Sequence, residues 1–367
     1  MRRLLPALAL FLLAPLVAEF LLGDFPITYL AALVLLAPMY GGGALLIREV
    51  VRRRGRGWPA VVLLALAYGV VEEGLVTQSL FDPGYAGAHL LDRGFVPGLG
   101  IALPWTLFVL GLHTVWSICV PVALVEELAG DRRTQPWLRR PGLAVTAALL
   151  VAGAAVTTLF TYAQYHYTAP APRLVAAAAV AVALAVLAFR LPVAGLPVAG
   201  LTAGRALVGR PTAARAPSAR RALPARLAEG RAPVGRPTAG RVPSARPAPG
   251  PLPVFLASLA AGGVFMVAMA APAAVAVALQ VALYTAAAWA VTAWARRTGW
   301  GGAQRAALAV GALLTYAWHA FLSRPVVDST PALDLTSHVV LGLGAAALAA
   351  AAYRSARLRP RPAVSRT

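Results

Sequence analysis

The chain has 367 residues, 59% of them hydrophobic and only 13% charged, with a net charge of +20 and a mean hydropathy of +0.72. Soluble globular chains carry roughly 25% charged residues, so this composition excludes a soluble domain and indicates a polytopic membrane protein. The basic excess is entirely arginine, because lysine is absent, and it lies between apolar runs; membrane topology and anionic lipid account for it, and nucleic acid does not.

Taken in chain order, the apolar runs predict ten helices, at residues 4–22, 27–47, 58–80, 100–127, 142–165, 173–189, 252–270, 272–295, 306–322 and 334–353. The first follows Met1-Arg2-Arg3, as a signal peptide would, but no small-x-small cleavage site follows it. It reads as an uncleaved first helix. Gly41-Gly42-Gly43 near the end of the second helix has no phosphate-loop context and suits close helix packing. Cys119 is the only cysteine; it forms no internal disulfide or cysteine metal motif and packs as a small apolar residue. Ala270-Ala271-Pro272 leaves room for only a short turn between the seventh and eighth helices.

Arginine placement tests the count. With the N-terminus cytoplasmic, 30 of the 33 arginines fall on the cytoplasmic side, and only Arg93, Arg173 and Arg324 fall outside, as the positive-inside rule requires. Fusing the seventh and eighth helices into one would export the basic tail, so nine helices are rejected.

The fold class is therefore an all-α transmembrane bundle of about ten helices in four parts: six helices in 1–189, a linker at 190–251, four helices in 252–353, and a basic tail at 354–367. The linker is rich in Pro, Ala and Arg and contains a near-copy, Val208 to Arg220 and Val234 to Arg246. Frequent proline breaks helices, and the expectation is a disordered cytoplasmic segment able to touch anionic lipid. The GC-rich residue usage fits a bacterial plasma-membrane protein with cytoplasmic termini.

Two adjacent acids, Glu72 and Glu73, interrupt the third apolar run. Charge at membrane depth costs several kcal/mol, so such residues face a protein interior or an aqueous cavity and often mark function. On a regular helix Tyr68, Glu72 and Ser79 share one face, while Glu73 and Thr77 share the next. Thr106, His113 and Ser117 form a stripe on the fourth helix, beside Trp116. Thr315, His319 and Ser323 line up on the ninth, and Asp334 and His338 form an i,i+4 pair on the tenth. Glu72 is expected to point inward with His113 in reach. His89 and His166 read as solvated loop residues. Glu126-Glu127 reads as an interfacial pair in water beside Arg132 and Arg133.

A Glu-Glu pair in one membrane helix, a His in the next and a late His resemble the CAAX-protease and bacteriocin-processing family of glutamate intramembrane proteases, in which such residues activate water for peptide hydrolysis. The resemblance covers under half the chain. It implies Glu72, Glu73 and His113 as catalytic residues, with His338 or His319 as the last histidine. Thr77 stands where that family has arginine, Val109 where it has phenylalanine, and Gly342 or Ser323 where it has Asn or Asp after the final His.

Two rival readings stand beside an intramembrane peptidase: a proton-coupled transporter and a non-catalytic membrane scaffold. No cofactor motif occurs, and metal dependence is left open. The arginine arithmetic makes a direct prediction. Reporter fusions at residue 367 and near residue 225 both score cytoplasmic, and an external signal at either position overturns the ten-helix topology.

Overall fold

The computed structural model describes residues 4–191 and 246–358. The linker repeats and most of the basic tail fall outside the described residues. Among the described residues ten apolar helices form: α1 (Leu5–Leu21), α2 (Ile27–Arg53), α3 (Trp58–Val76), α4 (Leu103–Leu128), α5 (Arg140–Tyr165), α6 (Ala171–Arg190), α7 (Pro251–Ala268), α8 (Ala273–Ala295), α9 (Gly302–Leu322) and α10 (Pro331–Arg357). Among the described residues, α2 to α10 are long and apolar enough to span a membrane, and α1 is shorter. The only sheet among them is a two-residue hairpin, Phe95–Val96 against Ile101–Ala102. The turn at Met269–Pro272 separates α7 from α8, and Arg93 closes it by donating to the carbonyls of Met269 and Ala271.

The helices form an inner and an outer layer. In α4 72% of the most apolar window is buried, and in α3 and α9 61%, against 11% in α5 and α8. The outer helices expose rows of Leu, Val and Phe, the surface that lipid accepts. Inside, small residues bring backbones together. A methyl group at Gly41 would lie 1.9 Å from the carbonyl oxygen of Phe11, and one at Gly43 would lie 2.5 Å from the Tyr68 ring. The glycine triplet is thus a packing surface, and it also makes room for Tyr68.

Four helices contain a wider π turn: Leu16–Leu21 in α1, Ala37–Gly41 in α2, Glu72–Val76 in α3 and His113–Cys119 in α4. Three have a proline as a local cause. Pro15, Pro38 and Pro121 have no N–H to give to the carbonyl four residues back, so the ladder slips to a longer bond. Helix α3 stops at Val76, four residues before the sequence-based boundary. Thr77 N–H reaches the Glu72 carbonyl at 2.8 Å, Gln78 turns left-handed at φ 58°, and the chain doubles back.

Opposite that turn lies an arginine-rich end. Arg48 and Glu49 are fully buried and paired at 2.6 Å, and Glu126 is held by Arg48 at 3.1 Å and by Arg52 at 2.6 Å. Glu49 also accepts the backbone N–H groups of Trp137 and Leu138, and the Arg48 guanidinium stacks 3.4 Å above the Trp137 ring. Glu127 pairs with Arg305 at 2.7 Å, and its carbonyl accepts from Ser355. This corrects the expectation of a solvated Glu126-Glu127 pair: both are buried, and their partners come from α2, α9 and α10. Removing one partner from a buried ion cluster strands the other charge and costs about 3–5 kcal/mol. Glu126→Ala is therefore expected to lower the unfolding free energy in detergent by that amount, while Asp92→Ala, which loses only an exposed pair with His89, changes it by less than about 1 kcal/mol.

Candidate functional site

Each π turn delivers one part of a polar cluster inside the apolar bundle. Helix α3 supplies Glu72 and Glu73, and α4 supplies His113; all three side chains are buried. Helix α2 supplies Tyr40 and α1 supplies Glu19.

The centre is the His113 imidazole. Its Nε2 lies 2.7 Å from Glu73 Oε1 and its Nδ1 lies 3.0 Å from Glu72 Oε2. Nδ1 also lies 3.1 Å from Ser117 Oγ. On a regular helix adjacent residues diverge by about 100°, and Glu72 and Glu73 would not face one partner. The π turn narrows that angle, so the two carboxyls close on one ring from its two nitrogens. An imidazole facing a carboxylate on each side can act as donor to both.

The two carboxyls are held differently. Glu73 Oε2 accepts from Thr77 Oγ1 at 3.1 Å and from Ser79 Oγ, and Ser79 in turn accepts from Trp105 Nε1 at 3.2 Å. With His113 on the other oxygen, Glu73 is saturated. Glu72 is not: its Oε2 makes the close approach to His113 without hydrogen-bond alignment, and like the hydroxyl of Tyr68 it is buried without a hydrogen-bond partner. Aromatic rings wall the site. Tyr40 stacks on His113 at 6.1 Å between centroids, and Tyr68 meets it edge-on at 6.4 Å.

The sequence-based faces are half right. Thr77 pairs with Glu73 as expected, but Ser79 lies beyond the helix and binds Glu73, not Glu72. His319 and His338 stay apart from this centre. His319 is half-buried and bonded to Ser323 at 3.0 Å. His338 packs on Phe321, ring centroids 5.5 Å apart, in a pocket of about 550 Å³ with Arg324 and Asp334. That pocket lies at the end of α10 opposite Ser355. His89 and His166 are exposed, as expected.

Sequence reasoning passed over Glu19 and Tyr40. The Tyr40 hydroxyl is within reach of the carboxyls of both Glu19 and Glu72, and Glu19 is within electrostatic reach of His113 and Glu73. A lone carboxylate in the apolar run 4–22 was signal enough for Glu19. Tyr40 carried none, because its partners are far away in sequence.

Glu72, Glu73 and His113 can offer one ligand atom each within 4.8 Å of one another. A histidine nitrogen and two carboxylate oxygens are a donor set that divalent metals such as zinc accept. Both histidine nitrogens face carboxylate oxygens at hydrogen-bond distance, so a metal here would replace one of those contacts.

Over residues 8–358 the chain matches an uncharacterized membrane protein family, and it belongs to that family. No curated protein and no solved structure matches it.

The unequal bonding of the two carboxyls has a measurable consequence. Glu73→Leu leaves His113, Thr77 and Ser79 without their acceptor, at about 1–3 kcal/mol for a stranded buried group. Its thermal midpoint should fall below that of Glu72→Leu, which loses the close approach to His113 but no aligned hydrogen bond to its Oε2. Equal losses would contradict the assignment.

Proposed function

We propose that this multi-pass membrane protein performs acid–base hydrolysis within the bilayer at Glu72, Glu73 and His113, with a peptide or related amide as the substrate class. One observation carries the reading: a single buried imidazole lies between two carboxyls, of which one is fully bonded and the other is not. The resemblance to glutamate intramembrane proteases supports the choice of an amide substrate.

The roles follow from the bonding. Glu73, fixed by Thr77 and Ser79, orients His113, as the buried carboxylate does in a serine-protease triad. Glu72 has the oxygen free to take a proton from water. The resulting hydroxide attacks the carbonyl carbon, the carbon–nitrogen bond breaks, and His113 gives a proton to the departing amine. The Tyr68 hydroxyl, beside Glu72 and without a partner, is the donor available to the oxyanion. A divalent metal held by the same three side chains would supply Lewis-acid polarisation of that carbonyl. His319 and His338 have no part in these steps. The protein works in the bacterial plasma membrane with cytoplasmic termini.

A second reading, proton-coupled transport, draws on a different observation. Neither the pocket of Phe81, Leu91 and Arg173 nor that of Phe321, Arg324 and His338 is lined by Glu72, Glu73 or His113. A tightly closed carboxyl–imidazole cluster suits a proton more readily than a peptide.

The two readings separate in nanodiscs. Glu72→Gln and His113→Asn should lower cleavage of membrane-embedded reporter peptides by at least about 100-fold while the protein stays folded. Substrate flux driven by a pH gradient with no cleavage product favours transport. If both variants match the parent in cleavage and flux, the centre is a structural pin.

A further inference from the structure

A buried site that consumes water or moves protons needs a way for them to arrive. Glu72, Glu73 and His113 are enclosed, and the arginine-rich end of α2 and α4 is closed by buried ion pairs. The opposite end is different. There the connection between α1 and α2 packs against α9 and α10: a methyl group on Gly23 would lie 3.3 Å from Ala320 and 3.4 Å from His338 Nε2. Asp24 O accepts from Val326 N at 3.0 Å, and Ile27 N donates to Ser337 at 3.0 Å.

Polar groups continue inward from that point. The π turn of α1 that carries Glu19 packs against α4, α9 and α10, and Asp24, Glu19 and Tyr316 are within electrostatic reach of one another. Tyr316 is fully buried against Trp116, with ring centroids 4.8 Å apart, yet its hydroxyl has no hydrogen-bond partner. Glu19 then meets Tyr40, and Tyr40 meets Glu72. Glu19 and Asp24 are half-buried, while Glu72, Glu73 and His113 are buried. A half-buried carboxyl on a turn packed against three helices stands where a cleft between them would open. An unpartnered buried hydroxyl beside it is what a water-filled cleft leaves when only protein atoms are counted.

We propose that Glu19 is the inner gatepost of a water and proton path that enters at the pocket of Phe321, Arg324 and His338, passes Asp24 and Tyr316, and reaches Glu72 through the Tyr40 hydroxyl. Glu19 is a positioning and relay residue in this scheme. The path gives a purpose to the late histidine: His338 stands at its mouth and not at the reaction centre. The proposal rests on Glu72, Glu73 and His113 being a reaction centre, but the path can be tested without the reaction.

Cys119, the only cysteine, is first replaced by Ala in the full chain. Single cysteines are then introduced as Asp24→Cys, Glu19→Cys, Tyr316→Cys and, as a dry control, Leu10→Cys, a fully buried core position. A small cationic methanethiosulfonate is applied to the purified, folded protein. The path predicts labelling of Asp24→Cys fastest and of Glu19→Cys and Tyr316→Cys at least about tenfold faster than Leu10→Cys. Glu19→Cys reacting no faster than Leu10→Cys overturns it. Should the cysteine variants misfold, the unaltered protein answers the same question. A water-soluble carbodiimide with an amine nucleophile, read by mass spectrometry, should modify Asp24 and Glu19 and spare the ion-paired Glu49; modification of Asp24 with Glu19 untouched overturns the path. Either result is independent of whether Glu72→Gln abolishes cleavage.

Discussion

Inside a bilayer a polar side chain has no water to fall back on, so every carboxyl at membrane depth must be satisfied by the protein or by something the protein admits. This constraint explains most of the bundle. Glu19, Glu72 and Glu73 come from two helices, yet they gather around one imidazole and two tyrosines. The gathering needs side chains to leave the directions a regular helix gives them. Four π turns provide this, and the three prolines that accompany them lie in α1, α2 and α4, the helices that deliver Glu19, Tyr40 and His113. Such turns appear frequently at functional sites, where a side chain must be re-aimed. Around this centre α5 and α8 contribute chiefly an apolar coat.

The arginine-rich end supplies the frame. Arg48, Arg52, Glu49 and Glu126 tie α2 to α4 and to the segment carrying Trp137, and Glu127 ties α4 to α9 and α10. These are the helices that present Tyr40, His113 and Tyr316 deeper in the bundle. A buried ion cluster gains little net stability over a well-packed apolar one, but its fixed pairing sets the register of one helix against another. With that register fixed at one end, small shifts of α2 against α4 at the other end are resisted, and the Tyr40–His113 stack keeps its geometry.

Much of this was legible in the sequence, and the failures share a cause. Hydropathy places ten apolar helices, and the described residues form them, nine of them long enough to span a membrane and α1 shorter. The Glu72-Glu73 pair and His113 were singled out because charge inside an apolar run is costly wherever it stands. What could not be read was anything depending on departures from the regular helix. Counting 3.6 residues per turn puts Ser79 on the face of Glu72, but α3 ends before it, and the returning chain gives Ser79 to Glu73. The same counting separated Glu72 from Glu73, and the π turn brings both to one ring. Glu126-Glu127 was assigned to water because the adjacent Arg132 and Arg133 offered an easy local partner. Arg48, Arg52 and Arg305, which bury the pair, are 74 to 178 residues away. The late histidines were drawn toward the centre by a family pattern, while in the structure α9 and α10 hold them at the far end.

The unequal treatment of the two glutamates bears most directly on chemistry. A carboxyl kept only to pin helices together is stable when every lone pair has a donor, and Glu73 meets that condition through His113, Thr77 and Ser79. If the whole cluster were a pin, Glu72 would be bonded in the same way, and Tyr68, one turn earlier on α3, is placed to donate to it. Instead the Glu72 oxygen nearest His113 and the Tyr68 hydroxyl are both left without an aligned hydrogen bond, although Tyr68 and Tyr40 stand within reach of the Glu72 carboxyl. Two such groups side by side cost about 1–3 kcal/mol each if they stay unpaired, a loss that a purely structural site has no reason to keep. The arrangement is stable once a third species, with a proton to give and a lone pair to receive one, joins Glu72 and Tyr68. Water is the smallest molecule that meets both conditions, and beside an oriented imidazole it is also the molecule a hydrolase has to activate.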